Sequence, residues 1–242
     1  MTETITLGDV ELALVRKQVK HVHLTVHPPT GKVTLVAPRG TRTEVARAYA
    51  ISKLGWIRRQ RKQMAAQLRE TARQYVERES HYVWGRRYLL SIQEADERPK
   101  VELSHRHLRL TVRRGSSLAK RAEVMHEWHK AQLHSVVPDL IKKWESRLGV
   151  TVSGYFLQRM KTRWGSSNPR NGSIRLNTEL VKKPRDLLEY VIVHEMSHFL
   201  VSSHNQAFAM LLEKHWPQWR ESRSELNALP LTAENWRQSQ QP

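Results

Sequence analysis

The feature that most constrains this chain is the stretch YVIVHEMSHFLVSSHN at residues 190–205. Its apolar spacing predicts a buried helix, yet it carries two histidines and a glutamate. With Val191 as the origin of a helical wheel, His194 and His198 fall at about −60° and −20°. Glu195 falls at about +40°. These ionisable groups lie within or beside the apolar arc, where removing them from water is costly unless something compensates.

A shared metal ion is the compensation that this spacing favours. His194, Glu195 and His198 form the pattern H-E-x-x-H, in which two histidines one turn apart bind one ion. The glutamate between them is offset toward a water on the metal, so it acts as a base and not as a ligand. One helical face cannot close a tetrahedral site, so a third ligand must come from outside this helix.

His204 is the predicted third ligand. Ser203 and Gln206 fit a capping box for a new helix, which would place His204 in its first turn. A chain reversal at Val201 to Ser203 would then return the imidazole to the ion. The spacing from His198 to His204 equals that of the metzincin peptidases. Val201 stands where their glycine turns the chain, however, which argues against a true metzincin.

Other ionisable residues are weaker candidates for the metal. In a gluzincin-type site the third ligand would be a downstream carboxylate, with Glu213, Glu221 and Glu225 as candidates. A second histidine-rich stretch has no base in register and no evident third ligand, and it contains His126, Glu127, His129 and His134. Surface or packing roles suit the remaining histidines that we considered, His21, His23 and His215.

Composition indicates the setting and the charge of a partner. The chain has 242 residues with 41 Lys plus Arg against 23 Asp plus Glu, a net charge of +18. This excess favours a negatively charged partner such as nucleic acid, although it also serves solubility. There is no cysteine, which excludes disulfides, thiol nucleophiles and cysteine zinc sites. We expect a soluble cytoplasmic protein with neither a signal peptide nor a membrane span.

The N-terminal part predicts a β-rich region with a long helix over residues 1–115. Alternating segments at residues 22–26 and 32–38 predict a short β-meander. A long helix is expected at about residues 43–79, with a bend at Gly55. It carries an incomplete apolar stripe, formed by Val45, Ala48, Tyr49 and Trp56. Three further strand-like runs follow, and no internal repeat is evident.

The remainder predicts a second region at residues 116–235 and a flexible tail at residues 236–242. Residues 117–149 have a helical pattern that Pro138 is expected to break. Two strands then follow, joined by a turn that Asn168 and Gly172 favour. Pro184 suits the first turn of the helix that carries the histidines.

Four segments of this region resemble the YgjP-like zinc metallopeptidases, which are relatives of the SprT-like group. They are RMKTRWGSS at 159–167, IRLNTELVKKP at 174–184, YVIVHEMSH at 190–198 and SHNQAF at 203–208. The N-terminal segments RKQVKHVHLTV and APRGTRTEVARAYAISKLGWI also resemble that family, so the resemblance covers most of the chain. Ser167 stands where the family often has cysteine.

The resemblance implies an α+β fold with a zincin-like catalytic core, in which a small sheet lies above an active-site helix. It also implies that His194, His198 and His204 bind Zn²⁺ and that Glu195 is the catalytic base. SprT-like relatives include proteases that act on proteins attached to DNA, and the positive charge is compatible with such a role.

The predicted function is zinc-dependent hydrolysis of a peptide or protein substrate. The zinc would stabilise the oxyanion, with help from a residue that the sequence does not single out among Tyr155, Tyr190, Arg163 and Arg175. The hairpin around Trp164 and Ile174 would offer an edge strand to an extended peptide, although core packing explains Trp164 equally well.

The alternative is a nucleic-acid-binding module with a structural zinc. Such a site would need a fourth protein ligand, and its metal would not activate water. Phosphate contacts would come from the basic run beside Trp56, formed by Arg58, Arg59, Arg61 and Lys62. A protease guided by DNA or another nucleic acid is compatible with both features.

Overall fold

The computed structural model describes residues 2–27, 31–66, 73–160 and 163–228. These residues form a mixed α+β protein, as the sequence predicts. The chain divides into two compact units, Met1–Leu68 and Arg69–Pro242. Each unit has its own hydrophobic core.

The N-terminal unit is built on a four-stranded sheet. Its elements are β1 (Thr2–Leu7), β2 (Val10–Lys17), β3 (His23–His27), β4 (Lys32–Pro38), α1 (Thr43–Ser52) and α2 (Leu54–Ala66). The strand order is β1-β2-β4-β3, with β2 and β4 parallel and the other pairs antiparallel. The predicted strands are therefore confirmed, and the segments at 22–26 and 32–38 pair antiparallel as expected. The first forty residues do not form a continuous meander, because β4 lies between β2 and β3.

Both helices of this unit contribute buried apolar side chains to its core. Ala46 and Ala50 of α1 and Ile57 of α2 are buried among the apolar residues of the sheet. Two members of the predicted apolar stripe point outward instead, since Val45 is 53% exposed and Trp56 is 37% exposed. Helical periodicity predicted an apolar stripe, but it did not identify which face of the helix packs against the sheet.

The predicted long helix is interrupted near its middle. The backbone leaves the helical conformation at Lys53, which has φ −104° and ψ 2°. The break therefore precedes Gly55, the expected bend, which lies inside the first turn of α2.

The C-terminal part of the predicted long helix is also wrong. Residues 73–79 are not helical, and residues 67–72 lie outside the described part of the chain. The backbone N–H groups of Gln74 and Tyr75 donate to the Glu79 carboxylate at 2.9 Å each, in place of helical carbonyls.

The C-terminal unit contains two sheets and five α-helices in its described residues. Its strands are β5 (Ser80–Val83), β6 (Arg86–Glu94), β7 (Lys100–Leu103), β8 (His107–Val112), β9 (Gly154–Gln158), β10 (Gly165–Asn168) and β11 (Ser173–Asn177). Its helices are α3 (Leu118–His134), α4 (Val137–Leu148), a 3₁₀ helix (Thr178–Lys182), α5 (Arg185–Ser197), α6 (Gln206–His215) and α7 (Trp219–Ala228). The strand orders are β5-β6-β8-β7 and β10-β11-β9.

The division between the units differs from the boundary expected at residue 115. The sheet β5-β6-β8-β7 shares its core with the helices that follow it, through residues such as Leu90, Leu110 and Leu133. The turn between β5 and β6 also donates hydrogen bonds from Trp84 to Val181 at 2.7 Å and from Gly85 to Lys182 at 3.3 Å. These contacts place residues 80–112 in the C-terminal unit.

The two four-stranded sheets have the same strand order, although the sequence shows no evident repeat. In each sheet the second and fourth strands are parallel neighbours, and the first and third strands form the edges. A helix follows the fourth strand in both cases. The two sheets therefore share a pattern of strand pairing that is not evident from their amino-acid sequences.

Several turn predictions in the C-terminal unit are confirmed. The helical pattern breaks between α3 and α4, with Pro138 in the first turn of α4. A turn joins β10 to β11, in which Asn168 Oδ1 accepts from the Arg170 N–H at 3.1 Å and Gly172 has φ 62°. Within the described residues, no helix is both long and apolar enough to cross a membrane.

Two isoleucines on the helices of the N-terminal unit test its packing. Ile57 is fully buried, so Ile57→Ala should lower the free energy of unfolding by about 2–5 kcal/mol. Ile51 is 51% exposed, so Ile51→Ala should change it by less than about 0.5 kcal/mol. Urea unfolding followed by circular dichroism measures both, and equal losses would contradict the assigned faces.

Candidate metal centre

The helix α5 is buried on most of its surface. Leu187, Leu188 and Ile192 are fully buried, and Met196 packs in the same core. Glu195 is only 7% exposed, which agrees with its place in the apolar arc of the wheel. The protein therefore holds a carboxyl group where water cannot readily solvate it.

The chain reverses direction immediately after α5. The N–H of Val201 donates to the Ser197 carbonyl at 3.0 Å, which closes the turn. The predicted capping box is wrong, because Asn205 caps α6 and its Oδ1 accepts from the Phe208 N–H at 3.0 Å. His204 therefore precedes the cap instead of lying in the first turn of α6.

Three imidazole nitrogens converge beyond the end of α5. His204 Nε2 lies 3.0 Å from His194 Nε2 and 3.1 Å from His198 Nε2. Tetrahedral zinc with Zn–N bonds of ~2.0–2.1 Å would separate its nitrogen ligands by about 3.4 Å. Both separations are within a few tenths of an ångström of this value, and all three candidate ligand atoms lie within 4.8 Å of one another, so these residues could hold a metal ion.

The environment of His194 and His198 favours the neutral form that a metal requires. His198 Nδ1 donates to the Val201 carbonyl at 3.1 Å, which leaves its Nε2 lone pair free to bind a cation. Burial, followed by the nearby His198, His204 and Arg223, lowers the pKa of His194 to about 3. Burial also lowers the pKa of His198.

Phe208 supports all three rings from α6. Its ring centroid lies 5.1, 4.5 and 4.9 Å from those of His194, His198 and His204. It is 3% exposed, so it restricts the rotation of the imidazoles without competing for the metal.

Glu195 is held against the first residue of β10. Burial raises its pKa to about 7, although the charge of Arg163 and a hydrogen bond from the Ser167 hydroxyl act in the opposite direction. A Cβ atom at Gly165 would lie 2.6 Å from Glu195 Oε1 and 2.9 Å from Val191 Cγ1. Only glycine leaves room for this carboxylate beside the sheet.

A cleft of about 640 Å³ opens in front of the histidines. Strand β10, an edge of its sheet, lines it with Gly165, Ser166 and Ser167. Helix α7 lines it with Arg223 and Asn227, among others. The cleft therefore has one wall of strand backbone and another of helical side chains.

The four residues considered for oxyanion stabilisation are divided between the cleft and other places. Tyr190 and Arg163 line it. Burial raises the pKa of Tyr190 to about 12, so its hydroxyl keeps its proton. Tyr155 lies outside the lining, with its hydroxyl 2.8 Å from His134 Nδ1. Arg175 also lies outside and stacks on Phe156 at 5.6 Å.

The alternative ligands lie away from the cleft. Glu213 accepts hydrogen bonds from Trp219 and Arg220, and neither Glu221 nor Glu225 contributes to the lining. Among the described residues, His194, His198 and His204 form the one group of three or more candidate ligands that converge closely enough for a metal.

The other histidines singled out in the sequence occupy different environments. His129 is buried and His126 is half-buried on α3, and neither joins such a group within the part of the chain that the structure describes. His21 and His23 are exposed on or beside a strand. His215 is half-buried at the end of α6.

Three residues of the site were not singled out by sequence reasoning. Gly165 and Phe208 fall within segments that resemble the family, but their roles depend on contacts across the fold. Arg223 belongs to a surface helix with no motif, and no local sequence signal identifies it.

A buried glutamate beside converging imidazoles is typical of metal-dependent hydrolases. A profile of the YgjP-like metallopeptidase domain matches residues 20–229. The chain belongs to the YgjP-like family of metallopeptidases.

Solved structures show weaker similarity. The metallopeptidase zymogen of Pyrococcus abyssi abylysin is 20% identical with a TM-score of 0.36, over 38% of this chain and 91% of that chain. The metallopeptidase zymogen of Methanocaldococcus jannaschii jannalysin is 24% identical with a TM-score of 0.33, over 37% and 92% respectively. These TM-scores are too low to establish a shared fold. No curated protein matches the chain significantly.

The contact between Gly165 and Glu195 can be tested through stability. Gly165→Ala should lower the free energy of unfolding by about 1–3 kcal/mol, because the added methyl group must displace the carboxylate or Val191. In the same sheet Gly154 has no neighbouring atom within 4 Å of a Cβ, so Gly154→Ala should change stability by less than about 1 kcal/mol. Urea unfolding of both variants, with a crystal structure of the first, checks this, and an unmoved Glu195 with unchanged stability would refute it.

Proposed function

We propose that this chain is a zinc-dependent metallopeptidase in which Glu195 activates the attacking water. The observation that carries the proposal is the convergence of three imidazole nitrogens at 3.0–3.1 Å in a cleft that Glu195 also lines. Three neutral nitrogen ligands and an open side toward the cleft suit a catalytic zinc site. Membership of a metallopeptidase family supports the same reaction.

Each residue of the centre has a distinct task in this proposal. Zinc, when bound by His194, His198 and His204, supplies a Lewis acid that polarises the peptide carbonyl and lowers the pKa of water toward ~7. Glu195 takes a proton from the attacking water and later returns it to the leaving amine. Tyr190 is the cleft residue that we assign to oxyanion stabilisation, because it retains a hydroxyl proton to donate.

Strand β10 is the proposed docking edge for an extended peptide. It pairs with β11 on one side and lines the cleft with Gly165, Ser166 and Ser167. An unpaired strand edge offers backbone donors and acceptors to a substrate in β conformation. A buried helix that carries the ligands beside such a sheet is the arrangement of a zincin-like core, which we propose for this unit.

Nucleic-acid association is the second candidate function, and the surface of α2 favours it. Trp56 is 37% exposed, and Arg59 and Lys62 beside it are exposed as well. Arg58 and Arg61 are less available, because Asp9 accepts hydrogen bonds from both. Phosphate binding by such a surface would be salt-sensitive and independent of Glu195.

Zinc retention tests the ligand assignment. Wild type and Glu195→Gln should each retain one zinc per chain, whereas His204→Ala should lose zinc to a chelator much more readily. His134→Ala is the matched control, because this histidine bonds to Tyr155 outside the cleft. Metal analysis after dialysis provides the measurement, and wild-type retention by His204→Ala would refute the three-histidine site.

Peptide cleavage tests the role of Glu195. Glu195→Gln should lower kcat on a peptide library by about 10²–10⁴-fold while keeping its zinc, because the amide cannot accept the proton. Glu221→Gln, an exposed change on α7, should retain full activity. Equal cleavage by Glu195→Gln would exclude the proposed base. A zinc-loaded wild type that cuts no peptide, with or without DNA, would favour the binding module.

A further inference from the structure

Two guanidinium groups lie on different walls of the cleft. Arg163 precedes β10 and Arg223 belongs to α7, and both contribute to the lining. Glu195 is the only carboxylate among the lining residues that the structure describes. As the base, Glu195 is ionised and its charge offsets that of Arg163, so no lining carboxylate remains to neutralise Arg223.

The two arginines influence different groups of the centre. The charge of Arg163 is felt by Glu195, and the charge of Arg223 is felt by His194 and Tyr190. Both residues line the cleft that also contains Glu195 and the three histidines, so an anion bound by either one would lie in the same cleft as the centre.

Neither guanidinium is occupied by an ion pair with a described residue. Other arginines nearby do have partners. On the same helix, Arg220 lies three residues before Arg223 and forms an ion pair with the Glu213 carboxylate. Arg175 on the neighbouring strand stacks on the Phe156 ring. In the described part of the cleft, by comparison, Arg163 and Arg223 have donors available for an incoming anion.

We propose that the cleft selects substrates with a carboxylate close to the scissile peptide bond, and that Arg223 is the main residue that recognises it. This inference rests on the proposed peptidase function and names its substrate class. The carboxylate belongs either to an acidic side chain or to the C-terminus of the peptide, and both present the same planar acceptor to a guanidinium.

Arg223 is the better of the two arginines for a test. Removing Arg163 would also alter Glu195, so its effects on recognition and on proton transfer would be mixed. Arg223 lies on the other wall, and a loss of recognition should appear chiefly in KM. Because hydrogen bonds to a charged partner are strong, we expect kcat/KM to be about 10- to 100-fold higher for a peptide with the carboxylate than for its neutral counterpart.

The experiment compares matched peptides within each protein variant. One pair differs by Glu or Gln beside the cleaved bond, and a second pair ends in a free carboxylate or an amide. Wild type should prefer the acidic member of at least one pair by about 10-fold or more, and added salt should reduce this preference. The pair that shows the preference identifies the source of the carboxylate.

Variants then assign the preference to a residue. Arg223→Gln should reduce the ratio of kcat/KM between the acidic and neutral peptides to within about 2-fold. Arg223→Glu should reverse the charge preference, so that a matched peptide with Lys in place of Glu is cleaved better than the Glu peptide. Arg220→Gln should keep the wild-type ratio, because Arg220 lies outside the cleft lining. Ratios within one variant cancel any general loss of folded protein. Equal kcat/KM for both members of both pairs in wild type would overturn the inference while the peptidase function stands.

Binding separates this inference from the proposed function. Fluorescence anisotropy of the same peptides on zinc-loaded Glu195→Gln should show tighter binding of the acidic member, and adding Arg223→Gln should abolish the difference. If wild type cuts no peptide but this binding preference is present, the peptidase proposal fails and the recognition of carboxylate stands. If binding shows no preference, the recognition of carboxylate fails.

Discussion

Burial of the helix α5 is the constraint on which the rest of the C-terminal unit depends. An apolar helix of this kind gains stability only when other elements enclose it, and enclosure removes water from His194 and Glu195 as well. The fold meets that cost by directing these groups toward a cleft, where His204 returns after the chain reversal. Stability and site geometry therefore share one cause, the enclosure of a single helix.

The surroundings of the site divide into a fixed part and an adaptable part. The ligands and Glu195 are held by buried contacts, including the close approach of Gly165 and the ring of Phe208. The opposite wall comes from α7, whose cleft-facing side chains are attached to a largely polar surface helix. Substitutions of the exposed residues of that helix, such as Arg223 and Asn227, would alter what the cleft accepts without removing a buried side chain beside α5.

Sequence reasoning succeeded where the information is local. The helical wheel placed His194, Glu195 and His198 on a buried face, and the turn at residues 168–172 followed from its Asn and Gly content. It failed where partners are distant in the chain. The hydrophobic periodicity could not show that Val45 faces outward. No sequence pattern indicated that Arg223 lines the cleft, because its position depends on how α7 packs.

The turn between β5 and β6 contributes nothing to the cleft, yet it influences the start of α5. Gly85 has φ 77°, and a Cβ there would lie 3.0 Å from the ring of Pro184, the residue before this helix. Its N–H and that of Trp84 also hold the 3₁₀ helix in place. This hairpin is distant from the metal centre along the chain. Its contacts nevertheless restrict movement at the start of the helix that carries the ligands.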